Sequence, residues 1–312
     1  MRLSRWPLVG CLAGVAISAG ASAQITGEQA ITVLRPGEIP AIVVTAEPDP
    51  EPRINDVRRQ ARSITSSGNM HNEPLALFQK KLCPGVAGLP VELATLVADR
   101  IRFNAERTGL SLATGGDCSP NLIVAFVKDG NEFAHNLAKT EGNILTRLPM
   151  EERREVLREA GPVRAWTVTS LRTRDGMAVT FDQRTQYYTV NTQSANSLFL
   201  LPTRTEIELS VVVIDIAAID GMGAIQIADY ATMRGLARTR PVEGDTSYGT
   251  ILSLFDPDGA HPYELTTFDV AYLKTIYANQ PNIAAAAKIG GVNSAMRKEL
   301  ALAEAKGDAE QP

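Results

Sequence analysis

The sequence predicts a mixed α/β (α+β) domain: a sheet of mixed strand direction with helices packed against it. Three observations point there. Two continuous apolar runs rich in β-branched residues, "NLIVAFV" (121–127) and "EIELSVVVID" (206–215), suit strands buried on both faces. Around them lie segments with helical apolar spacing, so strands and helices interleave irregularly. No internal repeat divides the chain, so a repeat architecture is not expected.

The chain opens with Arg2 and Arg5, an apolar run from Trp6 to Ile17, and Ala21-Ser22-Ala23. A charged start, an apolar centre and an A-x-A end are the parts of a secretory signal peptide, so cleavage after Ala23 and export to the periplasm or beyond are expected. A lipoprotein signal ending at Cys11 is the weaker alternative, because almost no apolar core precedes that cysteine. A membrane anchor is a third reading, but about 16 uncharged residues rich in Gly, Ala and Ser fall short of a spanning helix. Removing residues 1–23 from the 312 leaves 289, enough for a sizeable core. The formal charge moves from −4 to −6 as Arg2 and Arg5 leave. An acidic chain without a basic stripe is a poor nucleic-acid binder, since such binding draws on cationic contacts to phosphates. No other apolar run approaches 18 residues, so no transmembrane span is expected in the mature chain.

Residues 24–73 read as a proline-rich, partly disordered tether, with prolines at 36, 40, 48, 50 and 52 favouring extended backbone. Within it, 41–45 suits an edge strand and 55–72 at most a short helix. The folded domain is placed at 74–280, with 281–312 as a C-terminal helix and polar tail. Pro90 opens the clearest helix of the first half, with Leu93, Leu96, Val97, Ile101 and Ala105 recurring at helical spacing and Gly109 as its stop. Helices at 131–139 and 149–159 follow the first buried strand, and the Glu and Arg residues of the second read as a solvated face. "VRAWTVTSLRT" (163–173) alternates as a strand, and Asp175-Gly176 supplies a hairpin turn into "MAVTF". Residues 182–197 are a loop or an exposed strand. Thr266 or Thr267 caps a helix with Phe268, Ala271, Tyr272 and Ile276 on one face. An alanine-rich helix over 283–306, interrupted at Gly290-Gly291, completes the chain.

Once Cys11 leaves with the signal, Cys83 and Cys118 remain, and in an exported chain each has only the other as intramolecular partner. The expected bridge closes a loop of about 36 residues, stabilising by about 3 to 4 kcal/mol in the chain-entropy treatment. Histidine is scarce. His71, His135 and His261 stand far apart, none within metal-ligand spacing of another, so neither a metal nor a cofactor is expected. There is no G-x-S-x-G elbow and no S-x-x-K pair opening a helix after a strand. The glycine pairs at 115–116 and 290–291 lack the P-loop lysine and the dinucleotide spacing. No catalytic residue is assigned, and no carboxylate pair is singled out.

The order of "NLIVAFV", a hairpin, "ELSVVVID", the helix "IQIADYATMRGLA", "TILSLFD" and "LTTFDVAYLKTIY", spanning roughly 74–279, resembles an uncharacterised family of exported bacterial proteins with a zincin-like (metallopeptidase-type) domain lacking the H-E-x-x-H zinc motif. The resemblance implies a zincin-like architecture. With Gly235 matched to the glycine of H-E-x-x-H-x-x-G-x-x-H, the metal-ligand positions fall on Ala228, Thr232 and Arg238 and the general-base position on Asp229. Ala228 offers no donor atom, Thr232 only a weak neutral one, and Arg238 repels a cation, so zinc hydrolysis is not expected. Ala228, Ala231, Thr232 and Gly235 still give a small-residue face for packing on a sheet. Asp229, Thr232, Arg234 and Arg238 are the candidate ligand-binding residues: a polar cleft in place of the metal site would bind an anion or a peptide terminus, since arginine suits carboxylates. The competing structural reading puts Asp229 in an ion pair on a partly exposed helix face. The expected function is a non-catalytic binding or envelope-associated module, its partner an envelope protein or a peptide. The alternative is a hydrolase with an active site outside any recognised motif.

Overall fold

The computed structural model describes residues 51–310, apart from 116–117, 141, 191–196, 198–199, 243 and 245, and for 306–310 the backbone alone. The expected signal peptide, its alternative at Cys11 and the edge strand at 41–45 lie outside the described residues. In chain order the elements are α1 (Ile54–Ile64), β1 (Ala76–Leu77), β2 (Pro84–Ala87), α2 (Val91–Arg107), β3 (Leu122–Val127), α3 (Gly130–Lys139), α4 (Met150–Arg158), β4 (Val163–Thr173), β5 (Thr180–Asp182), β6 (Tyr187–Thr189), β7 (Thr203–Asp215), α5 (Ala224–Ala237), α6 (Thr267–Tyr277), α7 (Ala285–Ile289) and α8 (Val292–Glu310).

The chain is a mixed α/β fold organised around β7. On one edge β7 runs antiparallel to β4, from Val163 opposite Ile214 to Thr173 opposite Thr203. Its other edge is shared: β1 pairs in parallel with Thr205 and Glu206, and β3 pairs in parallel from Ser210 to Asp215. β2 extends the sheet beyond β3, again parallel, while β5 and β6 form a separate antiparallel pair. Helices cover both faces. On one side α1, α2, α5, α6, α7 and α8 enclose the larger core, and on the other α3, α4 and Leu145 and Leu148 enclose a smaller one around Trp166. The two continuous apolar runs are β3 and β7, and their continuity has this cause. Leu122, Val124 and Phe126 enter the larger core, while Ile123, Ala125 and Val127 pack on the smaller.

A bulge lets β7 serve both cores along its 13 residues. Between Val168 and Thr169 the opposing residue jumps from Leu209 to Ile207, leaving Glu208 unpaired in the ladder. One extra residue exchanges the faces, so Ile207 before the bulge and Val212 and Ile214 after it all reach the larger core. Lys80, foremost, with Ser170 and Arg172, hydrogen-bonds the Glu208 carboxylate and holds its pKa down to about 2.

Several boundaries differ from the sequence reading. The folded region begins well before Pro74: α1 buries Val57, Ala61 and Ile64 in the larger core, and the Gln60 amide exchanges two hydrogen bonds with the Tyr248 backbone, at 2.8 and 2.9 Å. The apolar stripe at i, i+4 and i+7 is narrow, and the surrounding arginines give the segment the composition of a tether. The described part of the expected C-terminal segment is not separate either, because Ala285, Ile289, Val292 and Met296 are buried in the same core. The turn at Asp175-Gly176 forms, with Gly176 at φ +87°, but only Arg172 bridges back to Ala178. β4 is committed to β7 along its whole length, and Thr180–Asp182 turns to Tyr187–Thr189 instead. α2 buries Val97, Ile101 and Ala105 as expected, but Leu96 is exposed and Asn104 takes a core position.

Cys83 and Cys118 form the expected disulfide, Cα atoms 6.1 Å apart, tying the entry of β2 to the segment before β3. At the centre lies α5, every residue of which is buried except Ile225. It meets the sheet through Gly235, where a Cβ would stand 2.5 Å from Leu122 Cδ1 and 3.5 Å from Val212 Cγ2. Gly235→Ala is therefore expected to lower stability by about 1–3 kcal/mol through overpacking, in spite of alanine's better helix propensity. Denaturant midpoints measure this, and a gain in stability would show the contact to be slack.

Candidate functional site

The four residues singled out on α5 separate into two pairs that face different ways. Asp229 is fully buried against α2. It accepts from Arg100 Nε and Nη2, from Asn104 Nδ2 and from the Leu265 N–H, each at 2.7 Å. Four donors on two oxygens leave the carboxylate no capacity for a ligand. Asp229 in turn raises the Arg100 pKa, first through the hydrogen bond and against the opposing effect of burial. Thr232 sits beside it, donating to the Ala228 carbonyl at 2.8 Å and accepting from Asn104 Nδ2 at 3.1 Å. The ion pair proposed for Asp229 thus exists, but in the interior and with a helix far away in sequence, not on a partly exposed face.

Arg234 and Arg238 point to the opposite side. Nine residues at about 100° each separate Asp229 from Arg238, which sets them across the helix from one another. The remnant cleft expected to join all four residues is therefore not formed. Arg234 is 3% exposed and hydrogen-bonds the Glu159 carboxylate and, at 3.3 Å, the Tyr230 hydroxyl, while its Nε has no partner. Burial opposes the guanidinium charge, but Tyr230 and Glu159 outweigh it and the pKa is raised. Burial also pushes up the Tyr230 pKa, and the ring stands edge-on to Phe255 at 4.8 Å. Arg238 ends α5 with φ +46° and pairs with Glu152 at 3.1 Å. Both arginines thus reach across to α4 or the residue that ends it.

Between these elements lies a cavity of about 590 Å³, bounded by α4, by Ala165–Thr167 of β4, and by the end of α5 with Thr239–Pro241. Its lining carries both signs of charge, glutamates from α4 and arginines from both sides, together with Val156, Trp166 and Pro241. A second cavity of about 420 Å³ shares Ala160, Arg234 and Pro241 with the first, so Arg234 stands between the two. Of the four residues expected at a ligand site, Arg234 and Arg238 line the larger cavity and Asp229 and Thr232 do not.

The sequence reading missed the contribution of α4, whose charges were assigned to solvent. Glu152 lies in the first turn of α4 and Glu159 is the residue after its end, so the two glutamates reach Arg238 and Arg234 from opposite ends of the helix. Arg100 and Asn104 were also missed, since the Arg100 position carried no apolar signal and Asn104 lay among core positions.

The chain matches no protein-family model, no curated protein and no solved structure. Its function is therefore read from the chemistry of the site. The residues that the resemblance would place at zinc-ligand positions do not fit that ion. Ala228 lacks a donor, the Thr232 hydroxyl and the Asp229 carboxylate are engaged, and Arg238 is a paired cation. Among the described residues no group of three or more His, Cys, Asp or Glu is arranged to hold a metal, and no helix is long and apolar enough to cross a membrane. Two histidines make local contacts instead, His135 Nδ1 with the Asn131 carbonyl at 2.9 Å and His261 Nδ1 with that of Leu254 at 3.0 Å. At the cavity, Glu159 is held by Arg234 and by the Ala165 N–H at 3.3 Å, which suits recognition better than proton transfer.

Proposed function

We propose that this protein is an exported, non-catalytic binding module on a zincin-like shell, and that it holds its ligand in the cavity between α4, β4 and the end of α5. One observation carries the reading: α5 closes one side with a saturated carboxylate and opens the other on a cavity lined by the buried Arg234. The cavity volume falls within the range of roughly 300–1,000 Å³ that encloses small ligands. The zincin-like shell is supported by the resemblance together with the burial of α5 beneath parallel β3 and β7. Export is supported by the amino-terminal pattern and by a disulfide suited to an oxidising compartment. The partner is an envelope protein or a peptide, recognised through a carboxylate.

A titration of isotope-labelled protein with a pool of short peptides tests the reading. Amide resonances of α4, Ala165–Thr167 and the end of α5 are expected to shift while those around Asp229 and Arg100 stay fixed. Shifts confined to the Asp229 side, or peptide cleavage that depends on added zinc, would refute it.

A further inference from the structure

We infer that the cavity takes a zwitterion, a free amino acid or short peptide bearing both an ammonium and a carboxylate group and an apolar side chain. This rests on the binding reading above and narrows it to a ligand class. The two ion pairs that cross the cavity differ in depth. Arg234 and Glu159 leave 3% and 17% of their side chains exposed, whereas Arg238 and Glu152 leave 19% and 34%. The outer pair is the one an entering ligand meets first and can open.

Charge balance then selects the ligand. An anion that draws Arg238 away leaves the Glu152 carboxylate without its partner in a partly desolvated site, and a cation that draws Glu152 away does the same to Arg238. A zwitterion replaces one ion pair with two and leaves neither group uncompensated. Its carboxylate matches the planar fork of Arg238, and its ammonium matches Glu152, with Glu155 one turn along the same helix. Deeper in, Arg234 stays paired with Glu159 and Tyr230 and keeps a fixed positive charge at the cavity wall. Val156 and Trp166, 6% and 4% exposed, reach the cavity wall from the smaller core beside Pro241 and give the ligand's side chain a narrow apolar contact.

Calorimetric titration of the full mature protein with phenylalanine and the dipeptide Leu-Phe, against N-acetylphenylalanine and phenylalaninamide, separates the possibilities. At least one zwitterion is expected to bind, with either blocked analogue tenfold or more weaker. Arg238→Gln is expected to erase the preference for a free carboxylate, and Glu152→Gln the preference for a free ammonium. Equal binding of a blocked analogue and its parent overturns the inference while leaving the cavity as a binding site. If no zwitterion binds at concentrations up to about 10 mM, the inference also falls. If, in addition, neither blocked analogue nor the peptide pool shifts a cavity resonance, the binding reading falls with it. The blocked analogues act on the unaltered protein, so the test stands even if a variant fails to fold.

Discussion

Asp229→Ala is expected to destabilise the fold by about 3–5 kcal/mol, because it takes a buried acceptor from the Leu265 N–H, from the Asn104 amide, which keeps the Thr232 hydroxyl, and from the Arg100 guanidinium, which keeps the exposed Glu264. For a domain of this size that corresponds to a fall of about 5–9 °C in Tm, readable by circular dichroism. Asp229→Asn should fare little better: it removes the charge and turns an amide NH₂ toward groups that themselves donate. Arg100→Met is damaging for the converse reason, stranding a carboxylate that has no exposure at all. Changing both, Asp229→Leu with Arg100→Met, should recover a good part of the loss, since a buried pair exchanged for apolar groups of similar volume is often neutral. If Asp229→Ala costs less than about 1 kcal/mol, the carboxylate is not a structural tie and the functional reading of that side of α5 reopens.

The second large effect is at the disulfide. Cys83→Ser with Cys118→Ser is expected to remove about 3–4 kcal/mol, the closure entropy of the intervening loop. The loss should be felt locally first. Among the described residues β2 pairs only with β3, and without the bridge its entry is held by Asn121, whose side chain accepts from the Cys83 N–H at 2.8 Å and whose own N–H donates to the Cys83 carbonyl at 3.0 Å, and by Leu82, which donates to the Ser111 carbonyl at 2.8 Å and accepts from the Ala113 N–H at 2.9 Å. Hydrogen exchange on oxidised and reduced protein should therefore quicken at Gly85–Ala87 and along α2 before it does in α6 and α8. Identical denaturation midpoints with and without reductant would sink this expectation.

What the sequence made legible follows from where its chemistry is local. β3 and β7 announce themselves because burial on both faces forbids polar alternation. The start of α6 is legible because Thr266 and Asp269 cap it reciprocally, three residues apart. The disulfide was legible because, of three cysteines, Cys11 falls in the expected signal peptide and leaves Cys83 and Cys118 to pair. The short helix expected within 55–72 is α1, but its place in the core is concealed because three apolar residues carry its packing within a charged stretch. At the candidate site, the identity of Arg234 and Arg238 was legible and their separation from Asp229 follows from helix geometry alone. Their partners were not. Arg100 comes to Asp229 from 129 residues away and Glu159 to Arg234 from 75, and no local rule connects them.

The central position of β7 also sets a schedule for assembly. Ala76 has its strand partner at Thr205, the inner edge of β3 waits for Ser210, and β4 waits for Thr203. As the chain is delivered from its amino end, β2, α2 and β3 can gather around their own parallel pairing, but the sheet stays open until β7 arrives. The last tie joins the two ends of the described chain, Arg297 of α8 donating to the Pro52 carbonyl. Such late, long-range closure is slow and leaves unpaired edges exposed meanwhile. A protein built this way is most vulnerable to aggregation or proteolysis while it is still being delivered, and substitutions in β7 should reduce yield more than their effect on the finished fold would suggest.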